Sequence, residues 1–205
     1  ATALDWQLKG LAVADCIALA NVIATNGLPR LETLSLQGNR FGAEGMQALA
    51  EGLGCGALPS LTYLFLGGNE IGEAGASALG AALGRGALPR LQVLGLQGNG
   101  LGSAGLIALA PALRALPQLK TLKLFNNAIG DDGVAALVAP GEGVLQSLED
   151  LYIYNNQVGD AGFAALTSAM RTGAIPALNS VLTFANPASQ AAKEAVHDEL
   201  GRRGA

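Results

Sequence analysis

Six times the pattern L-x-x-L-x-L-x-x-N returns in phase along this chain, and that repetition constrains the fold more than any other feature of the sequence. The copies are Leu31-Leu34-Leu36-Asn39, Leu61-Leu64-Leu66-Asn69, Leu91-Leu94-Leu96-Asn99, Leu119-Leu122-Leu124-Asn127, Leu148-Leu151-Ile153-Asn156 and the weaker Leu178-Val181-Thr183-Asn186. Their asparagines stand 30, 30, 28, 29 and 30 residues apart. A second pattern, [FIL]-G-x-x-G-x-x-A-L, follows the first five and opens at Phe41, Ile71, Leu101, Ile129 and, with valine in first place, Val158. A proline marks the approach to the next copy at Pro29, Pro59, Pro89, Pro117 and Pro176, and only the Leu145-Gln146 junction lacks one.

Each piece has a physical reading. Alternating Leu-x-Leu puts two side chains on one face of a short strand and the residues between them on the other. Leu34 and Leu36 are expected inside, with Ser35 pointing out. The asparagine after the strand reads as a structural amide, offering donors and an acceptor to backbone where the chain turns. Stacked repeats would then carry an Asn ladder of Asn39, Asn69, Asn99, Asn127, Asn156 and Asn186. Apolar residues at helical spacing follow, such as Met46, Leu49 and Leu53, or Leu106, Leu109 and Leu113. Ala48, Ala78, Ala108 and Ala136 let successive helices approach closely. Asp131, Asp160 and Ser103 are expected to cap helix starts, and the prolines to stop the helices and redirect the chain.

One strand and one helix cannot bury their own apolar face, so neighbouring units must stack, with about three or more needed. The fold class expected is an α/β solenoid, or horseshoe, with a parallel sheet on its concave face and helices on its convex face. Subtracting 30 residues exposes a remnant: Leu4 and Trp6 fall where Leu34 and Leu36 fall, and Ala18-Leu19-Ala20 repeats Ala48-Leu49-Ala50. The chain thus reads as one domain over residues 1–205, with a degenerate first repeat at 1–27, five regular repeats at 28–177 and a C-terminal capping repeat at 178–205. Lys193, Glu194, His197, Asp198, Glu199, Arg202 and Arg203 give the last segment the wet outer face of a cap. At the other end the strand around Leu4 has nothing ahead of it, and the expectation is that further chain or a partner covers that edge.

Residues 4–203 resemble the ribonuclease-inhibitor-like class of leucine-rich repeats, on the strength of the 28–30-residue period and the G-x-x-G-x-x-A-L helix entry. Within that class the repeats are similar to those of nucleotide-binding-domain leucine-rich-repeat receptors and of the proteins that activate the GTPase Ran. The resemblance implies an intracellular, cytoplasmic protein that recognises another protein. Receptor function itself is not implied, because no G-x-x-x-x-G-K-[ST] run occurs. The Ran likeness implies a second reading, a GTPase-activating regulator whose loops would map onto Asn126-Asn127 or Asn155-Asn156. A third is a structural subunit of a multiprotein complex.

In a horseshoe each repeat presents three outward positions on the concave sheet. Of the chain's nine aromatic residues, six fall in these eighteen positions: Tyr63, Phe65, Phe125, Tyr152, Tyr154 and Phe184. Aromatic rings with polar tips are typical anchors of interfaces. The densest cluster is expected from Phe125, Tyr152, Tyr154 and Phe184, with Lys123 and Asp150 at its margin, and with Tyr63 and Phe65 these eight residues form the expected partner-binding site. Aromatics also suit exposed strands on structural grounds alone. Yet the outward positions change from Ser and Gly to Tyr and Lys while the inward ones hardly vary.

Other residues give no chemistry. A net charge of −4, from 12 basic and 16 acidic residues, argues against a phosphate-binding surface and so against nucleic acid. Mean hydropathy is +0.37, yet the most apolar stretch, Leu106 to Leu113, is broken by Pro111 and ended by Arg114, so membrane insertion is not expected. His197 is the single histidine and sits in the charged terminal segment. Cys16 is expected to be buried and Cys55 to lie in a loop; two thiols and one imidazole are too few for a zinc site or a disulfide framework. Asp131, Asp132 and Asp160 read as helix caps, and the repeating glycines as packing positions. No cofactor, metal or enzymatic activity is expected. Two irregularities remain, a connection shortened by two residues at Arg114-Ala115-Leu116 and a helix stop with a protruding loop at Pro140-Gly141-Glu142-Gly143.

Overall fold

A computed structural model describes residues 1–54, 56, 58–140 and 145–203. Cys55 and the Gly141 to Gly143 part of the protruding loop lie outside the described residues. Strands and helices alternate: β1 (Ala3–Asp5), α1 (Val13–Ala24), β2 (Thr33–Ser35), α2 (Gly42–Leu53), β3 (Tyr63–Phe65), α3 (Gly72–Gly84), β4 (Val93–Gly95), α4 (Gly102–Arg114), β5 (Thr121–Lys123), α5 (Asp131–Leu137), β6 (Asp150–Tyr152), α6 (Asp160–Arg171), β7 (Ser180–Leu182) and α7 (Gln190–Arg203). The strands form one parallel sheet in chain order, β1 through β7. This is an α/β leucine-rich-repeat solenoid.

Register follows the repeat residue for residue. Leu4 aligns with Leu34, Leu34 with Leu64, Leu64 with Leu94, Leu94 with Leu122, Leu122 with Leu151 and Leu151 with Val181. A parallel sheet fixed in this way puts like side chains in rows across it, one row per sequence position. Parallel hydrogen bonding also runs past each three-residue strand: the Leu36 amide donates to the Phe65 carbonyl and the Gly38 amide to that of Gly67. The outward rows therefore stay aligned two residues further than the strands themselves.

Between sheet and helices lies a continuous apolar core in which Leu34, Leu64, Leu94, Leu122 and Leu151 are buried, along with the helix residues Met46, Leu79, Leu106, Val134 and Phe163. Full burial of one such side chain contributes roughly 1.5–3 kcal/mol. Close helix approach draws on glycines as well as on the alanines. A methyl group on Gly52 would stand 2.8 Å from the Ala20 backbone, and one on Gly80 would stand 2.9 Å from the Ala108 carbonyl oxygen.

The asparagines run under the sheet's edge as a chain of bonds. Asn69 Nδ2 donates to the carbonyls of Leu66 (2.8 Å) and, one repeat back, Leu36 (2.9 Å), while its Oδ1 accepts from the amides of Asn39 (2.8 Å) and Arg40 (3.1 Å). The same arrangement links Asn99 to the Asn127 repeat and Asn127 to the Asn156 repeat. Lys9 takes the ladder position in the first repeat, where its amide donates to Asn39 Oδ1.

Three expectations need correction. Ser103, Asp131 and Asp160 do not cap their own helices; each reaches forward into the next repeat. Ser103 Oγ accepts from the Gly130 amide before α5, Asp131 Oδ1 from the amides of Gly159 and Gly162 at the start of α6, and Asp160 Oδ1 from the Ser189 amide before α7. Stacking places each helix start beside its neighbour's, so a short side chain finds the adjacent orphan amides as readily as its own. The prolines do not stop the helices either: α2 ends at Leu53 and α3 at Gly84, well before Pro59 and Pro89, while Pro111 sits inside α4. Ser35, on the outward side of β2, is only 7% exposed, since in the in-register row it sits beside the far larger Phe65.

At the C-terminal end α7 lies against β7. Arg203 donates to the Ile175 carbonyl and Lys193 to that of Asn186, both across the end of the array. Glu199 is buried and accepts hydrogen bonds from Arg171 of α6 and from Arg202. Burial pushes the Glu199 carboxyl up, but the hydrogen bonds and charges of the two arginines outweigh it and hold the group below its ordinary value. Among the described residues no helix is long and apolar enough to cross a membrane.

Candidate partner-binding face

The helix-free face of the sheet carries three rows of side chains. Nearest the start of each strand run Thr33, Tyr63, Val93, Thr121, Asp150 and Ser180; next Ser35, Phe65, Gly95, Lys123, Tyr152 and Leu182; last Gln37, Gly67, Gln97, Phe125, Tyr154 and Phe184.

The last row divides at its middle. Over β5 to β7, Phe125, Tyr154 and Phe184 stack face to face, with ring centroids 4.4 and 4.3 Å apart and interplanar angles of 9° and 15°. Strand spacing of about 4.8 Å imposes that separation, so an in-register aromatic row in a parallel sheet becomes a column of rings. Each such pair is worth about 0.5–1.5 kcal/mol beyond area burial. Stacking consumes the ring faces and leaves their edges outward, most openly at Phe184, which is 54% exposed.

Over β2 to β4 the same row is polar and bridged by one hydrogen bond, with Gln97 Oε1 left buried and without a partner among the described residues. Gln97 lies across Gly67, where a Cβ would collide with its side-chain amide, and Nε2 donates to Gln37 Oε1 at 2.7 Å, sixty residues away in sequence. Glycine at 67 is what lets the amide bridge two strands. Gln37, Gly67 and Gln97 were not among the residues expected to form the site. The Gln-Gly-Gln alternation at the 30-residue period was the signal available in the sequence.

In the middle row Lys123 takes a bridging position. Its ammonium lies 5.6 Å from the centroid of the Phe65 ring and 5.9 Å from that of Tyr152. Between Phe65 and Lys123 stands Gly95, and a Cβ there would come within 3.2 Å of the Phe65 ring. The missing side chain leaves the lysine stem room to lie toward Phe65, where the ring's negative face attracts the cation.

Of the eight expected residues, six are therefore joined by direct contacts: Phe65, Lys123 and Tyr152 in one group, and Phe125, Tyr154 and Phe184 in the other. Tyr152 faces Lys123 and is not part of the column. The remaining two lie in the first row. Tyr63 is 40% exposed and has no ring contact among the described residues, and Asp150 accepts a hydrogen bond from Thr121 Oγ1 at 3.3 Å. Among the described residues no protein group bonds the hydroxyls of Tyr63, Tyr152 or Tyr154. Leu182, 36% exposed at the outer edge of the middle row beside Tyr152, belongs with the face on geometry but carried no signal in the sequence beyond its place in the repeat.

Elsewhere the chemistry is sparse. The Cys16 thiol is buried and pushed up to about 11, first by burial and then by the charge of Asp15. His197 is exposed, with Nε2 3.4 Å from the Val181 carbonyl oxygen. Among the described residues no group of three or more His, Cys, Asp or Glu is placed to hold a metal ion. Asn127 and Asn156 are buried in the ladder, whereas Asn126 and Asn155 are exposed and hydrogen-bonded to each other.

Four segments, 28–50, 57–80, 88–110 and 116–138, match the family model described as Leucine Rich repeat. Among solved structures, the tropomodulin C-terminal domain from Caenorhabditis elegans aligns over 94% of this chain and 93% of its own, at 17% identity and a TM-score of 0.56. The actin-binding site 2 of leiomodin-1 aligns over 90% of this chain and 87% of its own, at 13% identity and a TM-score of 0.57. Likeness at these identities is a likeness of fold. No curated protein matches.

Proposed function

We propose that this chain is a protein-binding module of the ribonuclease-inhibitor-like class, not an enzyme, and that it grips its partner over β5 to β7. One observation carries the reading: three stacked rings on the open face, with Lys123 and Tyr152 beside them, present ring edges, hydroxyls and an ammonium to solvent. Rigid aromatic side chains already held by stacking lose little entropy on binding, which is why such groups dominate interface energetics. The leiomodin-1 fragment is itself an actin-binding site, so actin is the first defined partner to try. GTPase activation finds less support, because Asn127 and Asn156 are tied into the ladder through both ends of their amides.

The test is capture from lysate, and of purified actin, by the wild-type chain beside Tyr152→Ala/Tyr154→Ala and Gln37→Ala/Gln97→Ala. A partner held by the wild type and the glutamine variant but lost from the tyrosine variant, with thermal midpoints within a few degrees of each other, supports the aromatic site. Equal capture by all three overturns it.

A further inference from the structure

We propose, resting on that reading, that Lys123 anchors a carboxylate of the partner, and that the bound segment is extended, with an aromatic or aliphatic side chain two residues from the acid. Lys123 lacks an ion-pair partner among the described residues, whose ion pairs join Arg40 to Glu70, Lys120 to Glu149, and both Arg171 and Arg202 to Glu199. Its contacts are the rings of Phe65 and Tyr152. Ring faces hold a cation in place without neutralising it or filling its three hydrogen-bond donors.

Placement makes the free charge useful. The side chain is half-buried and pinned between two rings, so an incoming carboxylate meets a cation that has already lost much of its rotamer freedom and part of its water. Both effects raise the value of the pair above that of an ordinary surface contact. The chain as a whole carries −4, so this ammonium on the candidate face is not one of a general basic surface that would favour any anion. Asp150, in the first row of the neighbouring strand, is engaged with Thr121 and does not pair with it.

Spacing then sets the second half of the proposal. Phe125 follows Lys123 by two positions on the same face, a separation of roughly 6.6 Å. Side chains two apart in an extended peptide have the same separation, so an acid over Lys123 places its i+2 neighbour over the column of Phe125, Tyr154 and Phe184. A helical segment does not present i and i+2 on one face.

Phage-displayed random heptapeptides selected on the wild-type chain, on Lys123→Met and on Lys120→Met provide the test. The expected result is enrichment of Asp or Glu two positions from an aromatic or aliphatic residue on the wild type and on Lys120→Met, whose lysine is already paired with Glu149. On Lys123→Met the acidic preference should vanish. For one enriched peptide, replacing its acid by the matching amide should weaken binding to the wild type by about tenfold or more and leave binding to Lys123→Met unchanged. Failure to enrich any peptide, enrichment without an acid, or an acidic preference that survives Lys123→Met each overturns the proposal. The partner-binding reading stands or falls separately, on whether the tyrosine variant loses capture.

Discussion

The two halves of the open face share one backbone and differ in how their outward row is satisfied. Over β2 to β4, Gln97 Nε2 donates to Gln37 Oε1 across Gly67, a single bridge that leaves Gln97 Oε1 without a partner among the described residues. Over β5 to β7, rings at the equivalent positions satisfy only their faces, leaving their edges and the Tyr154 hydroxyl unbonded among the described residues. The loops change at the same boundary. The left-handed residue after the row is glycine at 38, 68 and 98 but Asn126, Asn155 and Ala185 in the later repeats. Asparagine tolerates that conformation through its short polar side chain, and here Asn155 also donates to Asn126, adding a second cross-repeat bond beside the rings. A solenoid can thus hold its frame constant while the outward row changes from amide to aromatic along its face.

If the halves differ only on the face, the frame beneath them must be equally sensitive, and this gives the largest expected effect. Asn69→Ala under the amide half and Asn156→Ala under the aromatic half each remove an amide that serves two carbonyls and two backbone amides in the interior. Both should lower stability to denaturant by about 3 kcal/mol, the cost of stranding several buried backbone groups. A variant at Asn156 that proved nearly neutral would mean that the aromatic half is held together differently from its neighbour.

The frame was legible in the sequence because it repeats. The leucines, the ladder asparagines and the register all follow from a fixed offset, and even the degenerate first strand pairs Leu4 with Leu34 as subtraction of 30 requires. Outward residues could be named for the same reason. Their contacts could not, because spacing places Cα atoms and says nothing of rotamers. That Lys123 leans across Gly95, that Gln97 reaches over Gly67, and that Asp131 caps α6 instead of its own α5 depend on a small residue or an orphan amide in the next repeat. A motif read one repeat at a time contains no such information.

A smaller effect tests whether the amide half is joined by its glutamine bridge. In Gly67→Ala the new methyl would fall about where the Gln97 side-chain amide lies, and the backbone there is not left-handed. Only the end of a flexible side chain must move, so the fold survives and the bond to Gln37 is lost. The denaturation midpoint should drop by an amount corresponding to about 1 kcal/mol, with partner capture unchanged. Combining it with Gln37→Ala should add almost nothing, since both remove the same contact. Full additivity would show that the bridge is not what either substitution breaks.

The smallest effect concerns acid, and it should fall on the aromatic half alone. Glu199, in α7, is the only charged residue among the buried described ones, and its carboxyl is held below the ordinary value near 4.3 by Arg171 and Arg202 in spite of burial. A carboxyl whose folded value is depressed contributes stability that is complete above its unfolded value and disappears as pH falls through the folded one. The thermal midpoint of the wild type should therefore exceed that of Glu199→Gln at neutral pH, and the gap should shrink as pH falls below the ordinary carboxylate range. The arginine side chains are more than half exposed, so the gap will be modest at any pH. Because α7 packs on β7, whose row ends in Phe184, near-ultraviolet dichroism of the ring column should weaken over the same pH interval. An unchanged column would mean that the rings hold their stack without the helix behind them, and that the aromatic half owes its order to stacking and the ladder alone.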